Sequence, residues 1–135
     1  PDVDGIHFTT NDEVFERSDF ISLNCPLNAA TKHMINQQTL AVMKPTAYVI
    51  NTARGALIDE AALIEALRTG VIAGAGLDVQ EVEPLDDSSP LFTMDNVIIT
   101  PHMGWRGLET RQRLVSMVGD NIRAFCEGHP INRVG

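Results

Sequence analysis

The segment that most constrains the fold is Ala47-Tyr48-Val49-Ile50-Asn51, a short apolar run between Pro45 and the polar stretch Thr52-Ala53-Arg54-Gly55. A run this short, apolar at successive positions, presents hydrophobic side chains to both faces of a strand, which reads as a strand inside a covered sheet. Comparable runs recur at Ile6-His7-Phe8, Phe20-Ile21-Ser22-Leu23, Ile72 to Val79 and Val97-Ile98-Ile99. Helical patterns separate most of them. Thr10 with Glu13 forms a capping-box signature for a helix reaching about Ser18. Asn36 caps a predicted short helix through Met43, which Pro45 stops. Asp59 caps another, with Ala62, Leu63, Ala66 and Leu67 on one face and Gly70 closing it. From Gly107 to Glu127 a longer helix sets Leu114, Val115, Val118, Ile122 and Phe125 on one stripe and ends at Gly128. Alternating strands and helices of this kind predict an α/β fold, a parallel sheet covered by helices.

At 135 residues the chain can form one compact domain, burying about 68% of its unfolded surface. A net charge of −8 argues against a nucleic-acid surface, which needs a basic stripe. Part of that acidity, Glu81, Glu83, Asp86 and Asp87, reads as a solvated loop around Pro84 and Pro90. No apolar run approaches the ~20 residues that span a bilayer, so no membrane partner is expected. Cys25 and Cys126 follow no metal-ligand or CxxC spacing, no metal site is expected, and two unpaired thiols suit a reducing cytoplasm. The chain opens on Pro1, and the natural N-terminus is expected upstream of it.

In parallel α/β sheets ligands collect at the carboxyl ends of the strands. Three polar residues fall at such ends: Arg54, Asp78 and His102. Arg54 offers a planar fork that matches a carboxylate bidentately and stays charged at any working pH. Away from a strand end it would be read as a surface ion pair. His102 can exchange a proton near neutrality, whereas His7, His33 and His129 lack this placement and are read as structural or exposed. Glu83 gains meaning only with His102: a carboxylate bonded to one ring nitrogen orients the imidazole and favours its protonated form. Asp78 could accept a bond from a ligand amide or cap the following turn. The Gly74-x-Gly76 pair is not a dinucleotide fingerprint, because Val79 occupies the third glycine's place and no helix pattern follows.

With these residues in place the chain resembles the D-isomer-specific 2-hydroxyacid dehydrogenases. The resemblance runs through Ser18-Asp19-Phe20-Ile21-Ser22-Leu23-Asn24-Cys25-Pro26-Leu27, Met34-Ile35-Asn36, Met43-Lys44-Pro45, Asn51-Thr52-Ala53-Arg54-Gly55, Leu77-Asp78-Val79 with Glu83-Pro84, and Thr100-Pro101-His102. Trp105, Glu109, Arg111-Gln112-Arg113-Leu114 and Asn121-Ile122-Arg123-Ala124-Phe125 are similar to the glycerate dehydrogenase and hydroxypyruvate reductase branch.

The resemblance implies a Rossmann-like fold, with residues 1–105 a partial dinucleotide-binding domain and 106–135 a helix packing towards a substrate domain. It implies hydride transfer between NAD or NADP and a small 2-keto or 2-hydroxy acid, and a homodimeric parent protein. Arg54 would bind the substrate carboxylate, His102 would give and take the proton at the carbonyl oxygen, and Glu83 would hold His102 protonated. Asp78 would bond the nicotinamide carboxamide, and Cys25, Pro26, Thr31, Thr52, Ala53 and Gly104, with Arg54 and His102, would line the cofactor. The family's GxGxxG loop and its first βαβ unit are not in the sequence, so the expectation is the C-terminal part of a dehydrogenase, inactive alone. A nucleotide-sensing corepressor of the same family is the alternative, and formate oxidation is disfavoured because glutamine would be expected at Glu83.

Overall fold

The computed structural model describes residues 5–134. In chain order the elements are α1 (Asn11–Arg17), β1 (Phe20–Leu23), α2 (Gln37–Ala41), β2 (Tyr48–Asn51), α3 (Glu60–Thr69), β3 (Gly74–Leu77), β4 (Val97–Ile99) and α4 (Leu108–Cys126), with single 3-10 turns at Gly55–Leu57 and Pro90–Thr93. The caps explain most of the boundaries. The Thr10 hydroxyl accepts from the Glu13 N–H, Asn36 and Thr39 complete a reciprocal capping box, and the Asp59 carboxylate accepts from the Ala62 N–H. Gly70 ends α3 at φ +72°, a left-handed conformation that costs a glycine nothing.

The four strands are all parallel and lie in the order β1-β2-β3-β4. Sequential order means that each crossover steps in the same direction, so right-handed connections leave their helices on one face. Burial follows that rule. Ile21, Leu23, Val49, Asn51, Ala75 and Leu77 point into the core, with Ile35, Leu40, Leu57, Leu63 and Ile72 packed over them. Each fully buried aliphatic side chain of this size contributes roughly 1.5–3 kcal/mol. The alternate residues Phe20, Tyr48 and Ile98 are exposed, so the expectation of apolar strands covered on both faces holds for one face only. Phe20 and Tyr48 stack on each other there, ring centroids 5.5 Å apart.

Two sequence expectations change in detail. Ile6-His7-Phe8 forms no strand; Ile6 and Phe8 are both exposed, and a three-residue run without a pairing neighbour leaves its backbone groups to water. The strand expected over Ile72 to Val79 narrows to Gly74–Leu77, although Ile72 and Val79 are buried.

The chain divides into two compact units, one ending at His102 and one beginning at Met103. The second consists of α4 and its flanks. The Arg111 guanidinium lies 5.6 Å from the Trp105 ring centroid, Gly128 takes φ +77° beyond the helix, and Asn132 donates to Asn121. None of the residues of α4 is buried, and its stripe of Leu114, Val115, Val118, Ile122 and Phe125 is exposed. Among the described residues no helix is long and apolar enough to cross a membrane.

Candidate active site at the carboxyl edge of the sheet

The register brings Leu23, Asn51, Leu77 and Ile99 into line across the sheet, so all four strands end flush. The segments that follow therefore leave one edge together: Asn24-Cys25-Pro26, Thr52-Ala53-Arg54, Asp78-Val79-Gln80 and Thr100-Pro101-His102. Backbone bonds hold them close. Asp78 N–H donates to the Asn51 carbonyl, Thr100 N–H to the Leu77 carbonyl, and His102 N–H to the Asp78 carbonyl, each at 2.9 Å.

Arg54 is positioned by a buried asparagine. Asn51 has no exposed surface; its side-chain amide donates to the Arg54 carbonyl at 2.9 Å and its Oδ1 accepts from the Ala53 N–H at 3.1 Å. These two bonds fold the chain back directly after β2. Gly55 follows because nothing larger fits: a Cβ there would lie 1.8 Å from the Gln80 carbonyl oxygen. The close approach sets the Arg54 turn against the Gln80–Glu83 turn.

His102 and Glu83 are paired. His102 Nδ1–H donates to Glu83 Oε2 at 2.7 Å, and Glu83 Oε1 accepts from the Gln80 N–H at 3.0 Å. The His102 hydrogen bond is the main reason the Glu83 carboxyl sits below its ordinary value of 4.5; the Gln80 N–H adds to it, while desolvation and the nearby Asp78 charge oppose it. His102 itself takes φ +48°, uncommon for a residue with a Cβ. That backbone is held by its N–H, which bonds the Asp78 carbonyl and also the Thr100 carbonyl at 3.0 Å.

Arg54, Glu83 and His102 line one cleft of about 250 Å³, together with Leu27, Gly55, Ala56, Val79, Gln80 and Glu81. Arg54 and Leu27 also border a neighbouring cleft of about 680 Å³, whose other walls are Asn24, Cys25, Pro26, Thr52 and Ala53. Four residues expected to line a cofactor, Cys25, Pro26, Thr52 and Ala53, thus share one concave surface with Arg54. Thr31 does not line it. Its hydroxyl donates to the Pro26 carbonyl at 2.7 Å and accepts from the Asn28 N–H at 2.9 Å, bracing the loop behind. Asp78 is buried at the edge, where the Thr100 hydroxyl donates to its Oδ1 at 2.5 Å. Gly104 belongs to the second unit.

The sequence reading passed over Asn24, Leu27, Asn51 and Gln80 as site residues. Asn51 carried a signal, a polar residue ending an apolar strand immediately before the turn; Gln80, buried and with its carbonyl packed against Gly55, carried none. Arranged this way, the edge can bind a small carboxylate at Arg54 while His102 moves a proton. The apolar surfaces of Pro26 and Ala53, with the polar groups of Asn24 and Thr52 beside them, suit the flat amide-bearing ring of a nicotinamide.

Known proteins are similar to this chain in sequence and in fold. Residues 1–104 match the sequence profile of the D-isomer specific 2-hydroxyacid dehydrogenase, NAD binding domain. A glyoxylate reductase of Thermofilum pendens is 44% identical over 126 residues, which cover 93% of this chain and 37% of that protein. A hydroxypyruvate reductase of Blautia hydrogenotrophica is 42% identical over 123 residues, covering 91% of this chain and 38% of that protein. The crystal structure of the TT0316 protein from Thermus thermophilus superposes with a TM-score of 0.91 at 42% identity, over 100% of this chain and 43% of that one. The chain thus spans under half the length of these relatives, and within that span carries the parallel sheet and the arginine, glutamate and histidine at its edge. It belongs to the D-isomer specific 2-hydroxyacid dehydrogenase family, in its NAD-binding domain.

Proposed function

We propose that the protein acts in the reversible reduction of a small 2-keto acid, of the glyoxylate or hydroxypyruvate kind, by NADH or NADPH. The observation that carries this reading is the meeting of Arg54 with the paired Glu83 and His102 in one cleft, beside a second cleft bordered by Arg54. A 2-keto acid needs a fixed cation for its carboxylate and a proton for its carbonyl oxygen. Arg54 supplies the first through its guanidinium, held near the strand end where Asn51 bonds its carbonyl. His102 supplies the second. With Nδ1 committed to Glu83, Nε2 is the ring atom that transfers the proton.

Glu83 accepts the Nδ1 hydrogen bond and orients the ring throughout. In the reverse direction neutral His102 takes the hydroxyl proton, and the carboxylate stabilises the charge that forms. The nicotinamide, when bound, supplies or accepts the hydride. Cys25, Pro26, Thr52 and Ala53 would hold its ring against Arg54, with Asp78 bonding the carboxamide and Thr31 shaping the loop. The exposed stripe of α4 would pack towards a substrate-binding domain.

The test follows the loss of reduced-nicotinamide absorbance in the full-length protein with glyoxylate, hydroxypyruvate and pyruvate. Turnover of at least one keto acid is expected, with NADH or NADPH, and a large loss in Arg54→Ala and His102→Ala. Unchanged turnover in both variants would overturn the assignment.

A further inference from the structure

Beside the pair of His102 and Glu83 lies a second histidine–carboxylate pair. His33 Nε2–H donates to Glu81 Oε1 at 2.7 Å, the same separation as His102 to Glu83. Glu81 stands two residues before Glu83 and lines the same cleft as Arg54, Glu83 and His102. Its other oxygen accepts from the Glu60 N–H at 3.4 Å at the start of α3, and its own N–H donates to Glu60 Oε2 at 3.2 Å. His33 is anchored as well. Its N–H donates to the Ala56 carbonyl at 2.9 Å, its backbone takes φ +52°, and Ile35 continues the contact by exchanging bonds with Leu57 and Asp59.

The side-chain contact therefore ties the loop that carries Thr31 to the turn that carries Gln80 and Glu83, while the His33 backbone bond to Ala56 ties that loop to the segment that follows Arg54. We propose that His33 is a positioning residue: through Glu81 it holds the turn in which the Gln80 N–H meets Glu83, and so sets the orientation of His102. The proposal rests on the keto-acid reduction argued above and deepens it. Stability alone is a poor explanation of the contact. His33 and Glu81 are 34% and 32% exposed, and partly exposed ion pairs contribute about 0–1 kcal/mol. What the contact changes is the placement of a turn whose geometry matters at the scale of a single hydrogen bond.

Releasing it loosens the Gln80 N–H bond that helps hold the Glu83 carboxyl low. The charged groups around Glu83 are His102, Asp78 and Arg54, with Glu81 and Glu60 at the clip itself. With the Gln80 bond weakened, Glu83 moves back towards 4.5, and the acid limb of keto-acid reduction moves to higher pH.

The experiment measures kcat/KM for hydroxypyruvate against pH in the full-length protein, comparing the native sequence with His33→Ala and His33→Gln. Glutamine keeps a side-chain N–H that reaches Glu81 without a titrating ring. His33→Ala is expected to raise the acid limb and to lower kcat, with the melting temperature little changed; His33→Gln is expected to restore the native profile. A profile unshifted by alanine, or a shift that glutamine does not relieve, overturns the inference while leaving keto-acid reduction standing. If the native protein reduces no keto acid, both fall together.

Discussion

Gly55 and the Gln80 carbonyl are packed so tightly that a Cβ at position 55 would lie 1.8 Å from the oxygen and 2.0 Å from the carbonyl carbon. Both partners are backbone, so no side-chain rotation can relieve the overlap, and one of the two turns must move. One turn carries Arg54 and the other Glu83. Gly55→Ala is expected to cost about 3 kcal/mol or more in urea unfolding and to lower keto-acid turnover beyond what the unfolded fraction explains. Native stability in this variant would show that the two turns can separate freely.

Arg54 is expected to act mainly on substrate binding. Removing a charge-assisted hydrogen-bonding partner costs about 1.5–3 kcal/mol, which is about 10- to 150-fold in kcat/KM. Arg54→Lys should recover only part of that loss, because a point charge cannot reproduce the bidentate fork. Steady-state kinetics of Arg54→Ala and Arg54→Lys would measure both, and full recovery by lysine would argue against planar recognition of the carboxylate.

The pH dependence of Glu83 has a definite sign. Its folded value is lowered, first by the His102 hydrogen bond, so its stabilising contribution is complete above about pH 4.5–5 and is lost as pH falls through the lower folded value. The difference in stability between the native protein and Glu83→Gln should shrink as pH falls below that range. Turnover in Glu83→Gln should fall by about 10²-fold, with binding of the nicotinamide cofactor close to native by calorimetry.

Asn51 supports the Arg54 turn from below. Asn51→Ala strips partners from the Arg54 carbonyl and the Ala53 N–H and opens a void at a position with no solvent exposure. A loss of about 2–4 kcal/mol is expected in denaturant unfolding. Asn51→Asp should also be damaging at neutral pH: its carboxylate still accepts from Ala53, but it sets an acceptor against the Arg54 carbonyl and buries a charge.

How much of this was legible beforehand depends on the range over which each feature is decided. The helix starts at Thr10, Asn36 and Asp59 were readable because a cap acts within three residues of itself. The parallel sheet was readable from the alternation of apolar runs with helical stripes, and Arg54, Asp78 and His102 from their positions just past those runs. The Glu83–His102 pair was expected from the chemistry that histidine needs, and the structure places the two 2.7 Å apart.

Other features depend on register and on the close approach of distant segments. No local pattern shows that β1 to β4 end flush, that their crossovers leave one face of the sheet exposed, or that Ile6-His7-Phe8 finds no strand to join. None shows that His33, read as structural or exposed, meets Glu81 across 48 residues, or that Gly55 is required by a carbonyl from another turn. The sequence by itself determined the elements and the residue types at their ends, because backbone propensity and apolar periodicity are local. The tertiary structure decided which of those ends share a cleft, because that depends on strand register and on packing distances of a few ångströms.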